Sequence, residues 1–167
     1  MSQIEPPDSH AVNAALGWLE LGLPAEACAE LDRLPATLQR HPDVLEIRWA
    51  ISAAQQRWDG ALHAAMALVE VAPERPTGWL HRAYALRRAP EGGLPQAWDA
   101  LLPAHEKFPA EFLIPYNLSC YACQMQRLDE ARAWLRRALK LAKPERIKPM
   151  ALSDNDLEPL WNEIRDW

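Results

Sequence analysis

The sequence predicts an all-α protein built from stacked helical hairpins, a solenoid. Three observations carry that expectation. Ala27, Ala61, Ala97 and Ala131 stand 34, 36 and 34 residues apart, and two further columns keep the same intervals: Leu31, Ala65, Leu101, Leu135 and Leu34, Leu68, Ala104, Ala138. A period of this size marks one supersecondary unit copied and stacked. Helix formers dominate every period, and no run alternates like a strand. The 15 prolines against six glycines act as punctuation, because a helix accepts proline in its first turn and rarely inside.

Each period reads as two helices. Residues 1–8 are expected to be a flexible lead-in. Ser9 is a candidate N-cap for a first helix to about Leu21; Gly22 breaks it and Pro24 opens the second helix. Asp43 is a candidate N-cap for a helix to about Arg57, followed by one from Asp59 to Val71. Thr77 is read as the cap of the next helix, with Trp79, Tyr84 and Leu86 inside it. The loop at Ala89–Gly93 holds two extra residues and accounts for the 36-residue interval, since lengthening a surface loop costs little. Pro95 opens a helix towards Phe108. The last hairpin runs from about Pro115 to Gln126 and from Leu128 to Leu141. Leu157, Leu160, Trp161 and Ile164 then place one apolar face on a short helix, read as a cap over the exposed flank of the last unit. The domain plan is a lead-in at 1–8, repeats at about 9–41, 42–75, 76–111 and 112–144, and a capping segment at 145–167.

Composition narrows the function. A net charge of −5 argues against a nucleic-acid binder that relies on bulk charge, and against an anionic membrane surface. No apolar stretch is long enough to span a bilayer, and MSQIEPPDSH lacks the features of a secretory signal. Three sparse cysteines, Cys28, Cys120 and Cys123, fit a reducing compartment, so a cytoplasmic location is expected. Cys120 and Cys123 form a CxxC, but no second Cys or His pair completes a zinc site, and the βαβ context of a thioredoxin-like motif is missing. They read as small packing residues. The five histidines are scattered. No nucleophile elbow, phosphate loop or metal-spaced carboxylate set is present, so no enzyme, catalytic residue, metal or cofactor is expected.

Period and fixed positions together resemble the tetratricopeptide repeat (TPR). Trp79, Ala83, Ala97, Leu101, Ala104 and Pro109 match its pattern in the third unit, and Ala61, Ala65, Leu68 and Pro73 in the second, with Trp58 at the aromatic position before them. YNLSCYACQMQRLDEARAWLRRALKLAKP is the best-matching unit, and ALSDNDLEPLW is similar to the end segment that follows the last repeat in many bacterial members. Ala15, Trp49, Ala83 and Ser119 occupy the small position, where Trp49 departs from the pattern. Arg48 and Arg82 depart from the usual leucine.

The resemblance implies a right-handed α-α superhelix of about four repeats plus a capping helix. It also implies a scaffold whose first helices line a concave groove that holds a peptide or helix of another protein. A self-associating module, possible as a homodimer, is the alternative. Projecting the period puts Asn13, Ile47, His81 and Asn117 in one groove column. Leu16, Ala50, Tyr84 and Cys120 form a second, and Glu20, Ala54, Arg88 and Gln124 a third. Asn13 and Asn117 suit a ligand backbone, since an amide donates and accepts without charge; each serves equally well bonded to a neighbouring helix or water. Arg87 and Arg88, beside His81 and Tyr84, read either as a basic-aromatic patch for a carboxylate or as a solvated helix end. The binding candidates are therefore Asn13, His81, Tyr84, Arg87, Arg88, Asn117 and Gln124. Trp18, Trp58, Trp98 and Trp134 are expected in hairpin interfaces, and Trp167 exposed.

Overall fold

Residues 3–166 are described by the structure, a computed structural model. Met1 and Ser2 of the expected lead-in, and Trp167, lie outside them. Among the described residues there are α-helices, one 3-10 helix and no strand. The chain divides after Glu91 into two compact units, within the loop that carries the two extra residues.

The first unit holds α1 (Asp8–Glu20), α2 (Pro24–Asp32), α3 (Pro42–Ala54), α4 (Trp58–Val71) and α5 (Pro76–Leu86). Its core gathers Val12, Ala15, Ala27, Leu31, Leu34, Val44, Ile47 and Ile51, with a smaller cluster of Leu45, Leu68 and Ala72 under α4. Proline stands in the first turn of α2, α3 and α5, where its missing N–H would have no helical partner. Three N-caps differ from expectation. Ser9 lies inside α1, whose start has no side-chain cap. The α3 cap is His41, whose Nδ1 accepts from the Asp43 N–H. Thr77 is inside α5, and its hydroxyl donates to Glu46 Oε1 at 2.7 Å instead. Beside it, Arg75 reaches Asp43 at 2.6 Å and Glu46 at 3.4 Å, so the start of α5 is tied electrostatically to α3.

Local chain chemistry sets the hairpin turns. Gly22 closes the α1–α2 turn at φ +73, a conformation glycine adopts at no steric cost, and the Leu23 N–H bonds back to Trp18 O. Gln56 and Gln126 take the same left-handed conformation at φ 56 and φ 63, with Arg57 N–H and Arg127 N–H bonding back to Ser52 O and Ala122 O. The near-repeat QRWDGA and QRLDEA is thus a repeated turn as well as a repeated sequence. Gly78 serves packing instead: a Cβ there would sit 3.1 Å from Leu68 Cγ and 3.2 Å from Val69 Cγ2, so α4 and α5 approach closely.

The second unit holds α6 (Leu94–Lys107), α7 (Leu113–Gln124), α8 (Leu128–Leu141), α9 (Pro144–Ser153), a 3-10 helix (Asn155–Leu160) and α10 (Trp161–Arg165). α6 runs through Pro103, as the helix expected from Pro95 towards Phe108 does. The expected single tail helix is two elements, the 3-10 helix and α10. α9 precedes it, and Pro159 lies in the tighter 3-10 turn that separates Leu157 and Leu160 from Ile164. Leu157, Leu160 and Ile164 are nonetheless fully buried and Trp161 is half-buried, so the apolar spacing marked the inward face while misjudging the backbone.

All twelve residues of the three periodic columns are buried, the most exposed being Leu34 at 5%. Small side chains at Ala27, Ala61, Ala97 and Ala131 leave room for a second helix, and bulk one turn later fills it.

Candidate functional site

α1, α3 and α5 of the first unit line a cleft of about 510 Å3. Its floor is apolar: Val12, Leu16, Ile47 and Ala50, with Leu16 44% exposed although it is large and hydrophobic. Asn13 is exposed at the rim, and Asp43 and Glu46 line the end nearest the start of α3. Trp49 and His81 form the wall. Their rings stack at 3.7 Å, 3° from parallel, and the Trp49 indole donates to His81 O at 3.2 Å. This explains the departure of Trp49 from the small-residue column: its ring lies on α5 rather than inside the α3–α4 hairpin.

Burial dominates the chemistry of His81. Its Nδ1 is buried with no hydrogen-bond partner among the described residues. Desolvation pushes its pKa down to about 4, against the opposing field of Glu46. A free histidine takes its proton near 6.5. Between these values the unfolded chain binds more protons than the folded one, so the His81 contribution to stability is complete above about pH 6.5 and is lost as pH falls towards 4. The melting midpoint should therefore fall over that window, and His81→Gln should flatten the fall. Superimposable pH profiles for the two proteins would show that His81 is not held neutral.

Tyr84 continues the aromatic surface along α5. It meets Trp49 edge-on at 5.8 Å and Trp58 at 5.9 Å, and is 38% exposed. The Arg88 guanidinium lies over Tyr84, 3.6 Å from its centroid, and 5.3 Å from that of Trp58. Trp58, expected as hairpin filler, is thus a half-buried surface residue under a cation. Arg87 follows α5, its N–H bonded to Ala83 O. Of the seven candidates, Asn13, His81, Tyr84, Arg87 and Arg88 fall in the first unit, and Asn117 and Gln124 in the second.

In the second unit both amides are engaged internally. Asn117 Nδ2 donates to Leu113 O, one turn back, at 2.8 Å. Gln124 Nε2 donates to Asp156 O at 3.1 Å, and Tyr116 OH donates to Asp154 at 3.0 Å. The chain's own C-terminal segment therefore lies on the α7 face that the register assigned to a groove. Cys120 is buried and also donates to Asp154, while Cys123 is buried with its thiol pKa pushed up by desolvation, which keeps it protonated. Cys120, Asp154 and Asp156 bring potential ligand atoms within 4.8 Å of one another, but the protons of Cys120 and Tyr116 already point at the Asp154 carboxylate.

Trp98 and Trp134 are buried in the second unit, edge to face at 6.1 Å, as sequence position suggests. The sequence reading missed Trp49, Trp58 and Arg57 as surface residues. Trp49 carried a usable signal, since a tryptophan in a column of small residues has to leave the hairpin.

Comparison with solved structures identifies the fold. The chain is similar to a thermophilic TPR protein in Thermus thermophilus, TTC0263, with a TM-score of 0.70 and 20% identity over 94% of this chain and 82% of that one. It is also similar to a mutant of MamA, with a TM-score of 0.61 and 19% identity over 81% of this chain and 77% of that one. No family model matches the chain, and no curated protein matches it. The protein has the helical-hairpin solenoid fold of all-α proteins. Within that class the fold is of the tetratricopeptide-repeat type, an α-α superhelix.

Proposed function

We propose that this protein is a non-enzymatic interaction scaffold that holds a peptide or helix of another protein on the α1–α3–α5 surface. The observation that carries the reading is the open cleft with an apolar floor at Val12, Leu16, Ile47 and Ala50, flanked by Asn13 and a stacked Trp49–His81 wall. Apolar area exposed in a concave site, with a few polar groups at its edge, is what a bound segment covers. On this reading the repeats are the units at about 9–41, 42–75, 76–111 and 112–144, and 145–167 covers the last of them. No helix among the described residues is long and apolar enough to cross a membrane, and we place the scaffold in the cytoplasm.

Affinity capture with quantitative mass spectrometry tests the surface. Leu16→Asp puts a charge on the cleft floor and should remove the captured partners. Met66→Asp, on α4 where Met66 is 53% exposed, should leave them. Loss with Met66→Asp alone would move the binding surface to the opposite face of the hairpins. Sedimentation completes the test: a dimer that Leu16→Asp dissolves would mean that the cleft is filled by a second copy.

A further inference from the structure

The first unit carries a second cleft, of about 480 Å3, at the far end of the aromatic surface. Gln56, Arg57, Trp58 and Gly60 come from the α3–α4 turn and the start of α4, and Arg88 and Pro90 from the chain just after α5. Neither Arg57 nor Arg88 pairs with a carboxylate among the described residues, although Asp59 lies in the same wall. Arg88 is held in place by its stacking on Tyr84 and by one hydrogen bond from Nη1 to Tyr84 O at 3.2 Å. A guanidinium offers five donors in a planar fork, so most remain for a ligand, and a pre-positioned fork loses little entropy on binding.

Trp49, Tyr84 and Trp58 join the two clefts in steps of 5.8 and 5.9 Å. Along this path the surface changes character, from Asp43 and Glu46, whose charges Arg75 pairs, through apolar at Leu16, Ile47 and Trp49, to cationic at Arg57 and Arg88. We propose that this surface binds an extended peptide segment with an apolar anchor and, within about three to four residues of it, an acidic side chain. The anchor lies against Leu16, Ile47 and Trp49, and the carboxylate takes the fork of Arg88 with Arg57 beside it. The two ring steps set the upper limit of the spacing, since Arg88 already stands over Tyr84 and an extended chain advances about 3.3–3.6 Å per residue. A single negative charge matches two arginines offset by Asp59; a doubly charged phosphate would leave excess negative charge in a cleft that Asp59 also lines. The proposal rests on the α1–α3–α5 reading above and adds the chemistry of the bound segment.

Selection of a random heptapeptide display library on the full chain tests it, with far-UV circular dichroism checking each variant. Peptides with Leu, Ile or Phe and an Asp or Glu within about three to four residues of it, on one consistent side, should be enriched. Arg88→Gln and Arg57→Gln should each weaken a selected peptide, measured by fluorescence anisotropy, with Arg88→Gln costing about tenfold or more. Arg88→Glu should switch the charged preference to Lys or Arg while the apolar anchor stays enriched. An apolar anchor with no acidic preference, or an acidic preference unmoved by Arg88→Glu, overturns the proposal and leaves the groove reading standing. A preference met only by a free C-terminal carboxylate or by phosphoserine, in parallel libraries carrying them, overturns the side-chain assignment. Failure of any peptide to be enriched overturns the proposal and leaves the groove reading to its own capture test, while enrichment that survives Leu16→Asp overturns both readings.

Discussion

Ala131→Trp should destabilise the protein by about 1–3 kcal/mol or more, whereas Ala133→Trp, two residues along the same helix, should change stability by under about 0.5 kcal/mol. Ala131 is fully buried on the face of α8 that packs on α7, and its carbonyl accepts the hydroxyl of the equally buried Ser119 at 2.8 Å. An indole there has to push the two helices apart and break that bond. Ala133 points to solvent. The difference between the two urea midpoints isolates the packing cost, because helix propensity changes equally in both. Equal midpoints would mean that the 34-residue alanine register does not mark the contact between paired helices.

Leu68→Ala should cost about 2–5 kcal/mol, a large share of the roughly 5–15 kcal/mol that holds a typical domain folded. Leu68 is fully buried among Leu45 and Ala72, and the backbone of α5 at Gly78 comes close enough to cap it. The surroundings cannot collapse into the vacated space without moving α5, so most of the cavity should persist. Met66→Ala, on the exposed side of α4, is the matched comparison and should cost little. A Leu68→Ala loss below about 1 kcal/mol would show that α4 and α5 are not locked together there.

The two substitutions probe what was most legible in the chain. The columns through Ala27, Leu31 and Leu34 appear in the sequence because each residue packs against a partner at a constant offset. Selection for that contact therefore leaves a constant spacing. The hairpin turns were half legible. Gly22 announced itself, but Gln56 and Gln126 take the same left-handed conformation without a glycine, and only their shared QR-x-D context hints at it. Caps were the least reliable part, since Ser9, Asp43 and Thr77 each offered suitable chemistry one or two residues from where the helix begins. Thr77 was drawn instead to Glu46 of a different helix.

The candidate site divided along the same line. Register alone placed His81, Tyr84 and Arg88 on one helix face, and the structure brings them into one aromatic-cationic surface with Trp49 and Trp58. It did not reveal that Gln124 would be bonded to Asp156, because that partner lies 32 residues away in a segment outside the repeat.

By itself the sequence determined the all-α class, the hairpin period and the buried columns. All of these follow from spacing along one helix or between neighbouring helices. Tertiary structure alone decided which faces stay open. The tail closes over α7, Trp49 turns onto His81, and Arg88 settles on Tyr84. Each outcome depends on where a side chain from a non-repeating position arrives in space, and no periodicity records that.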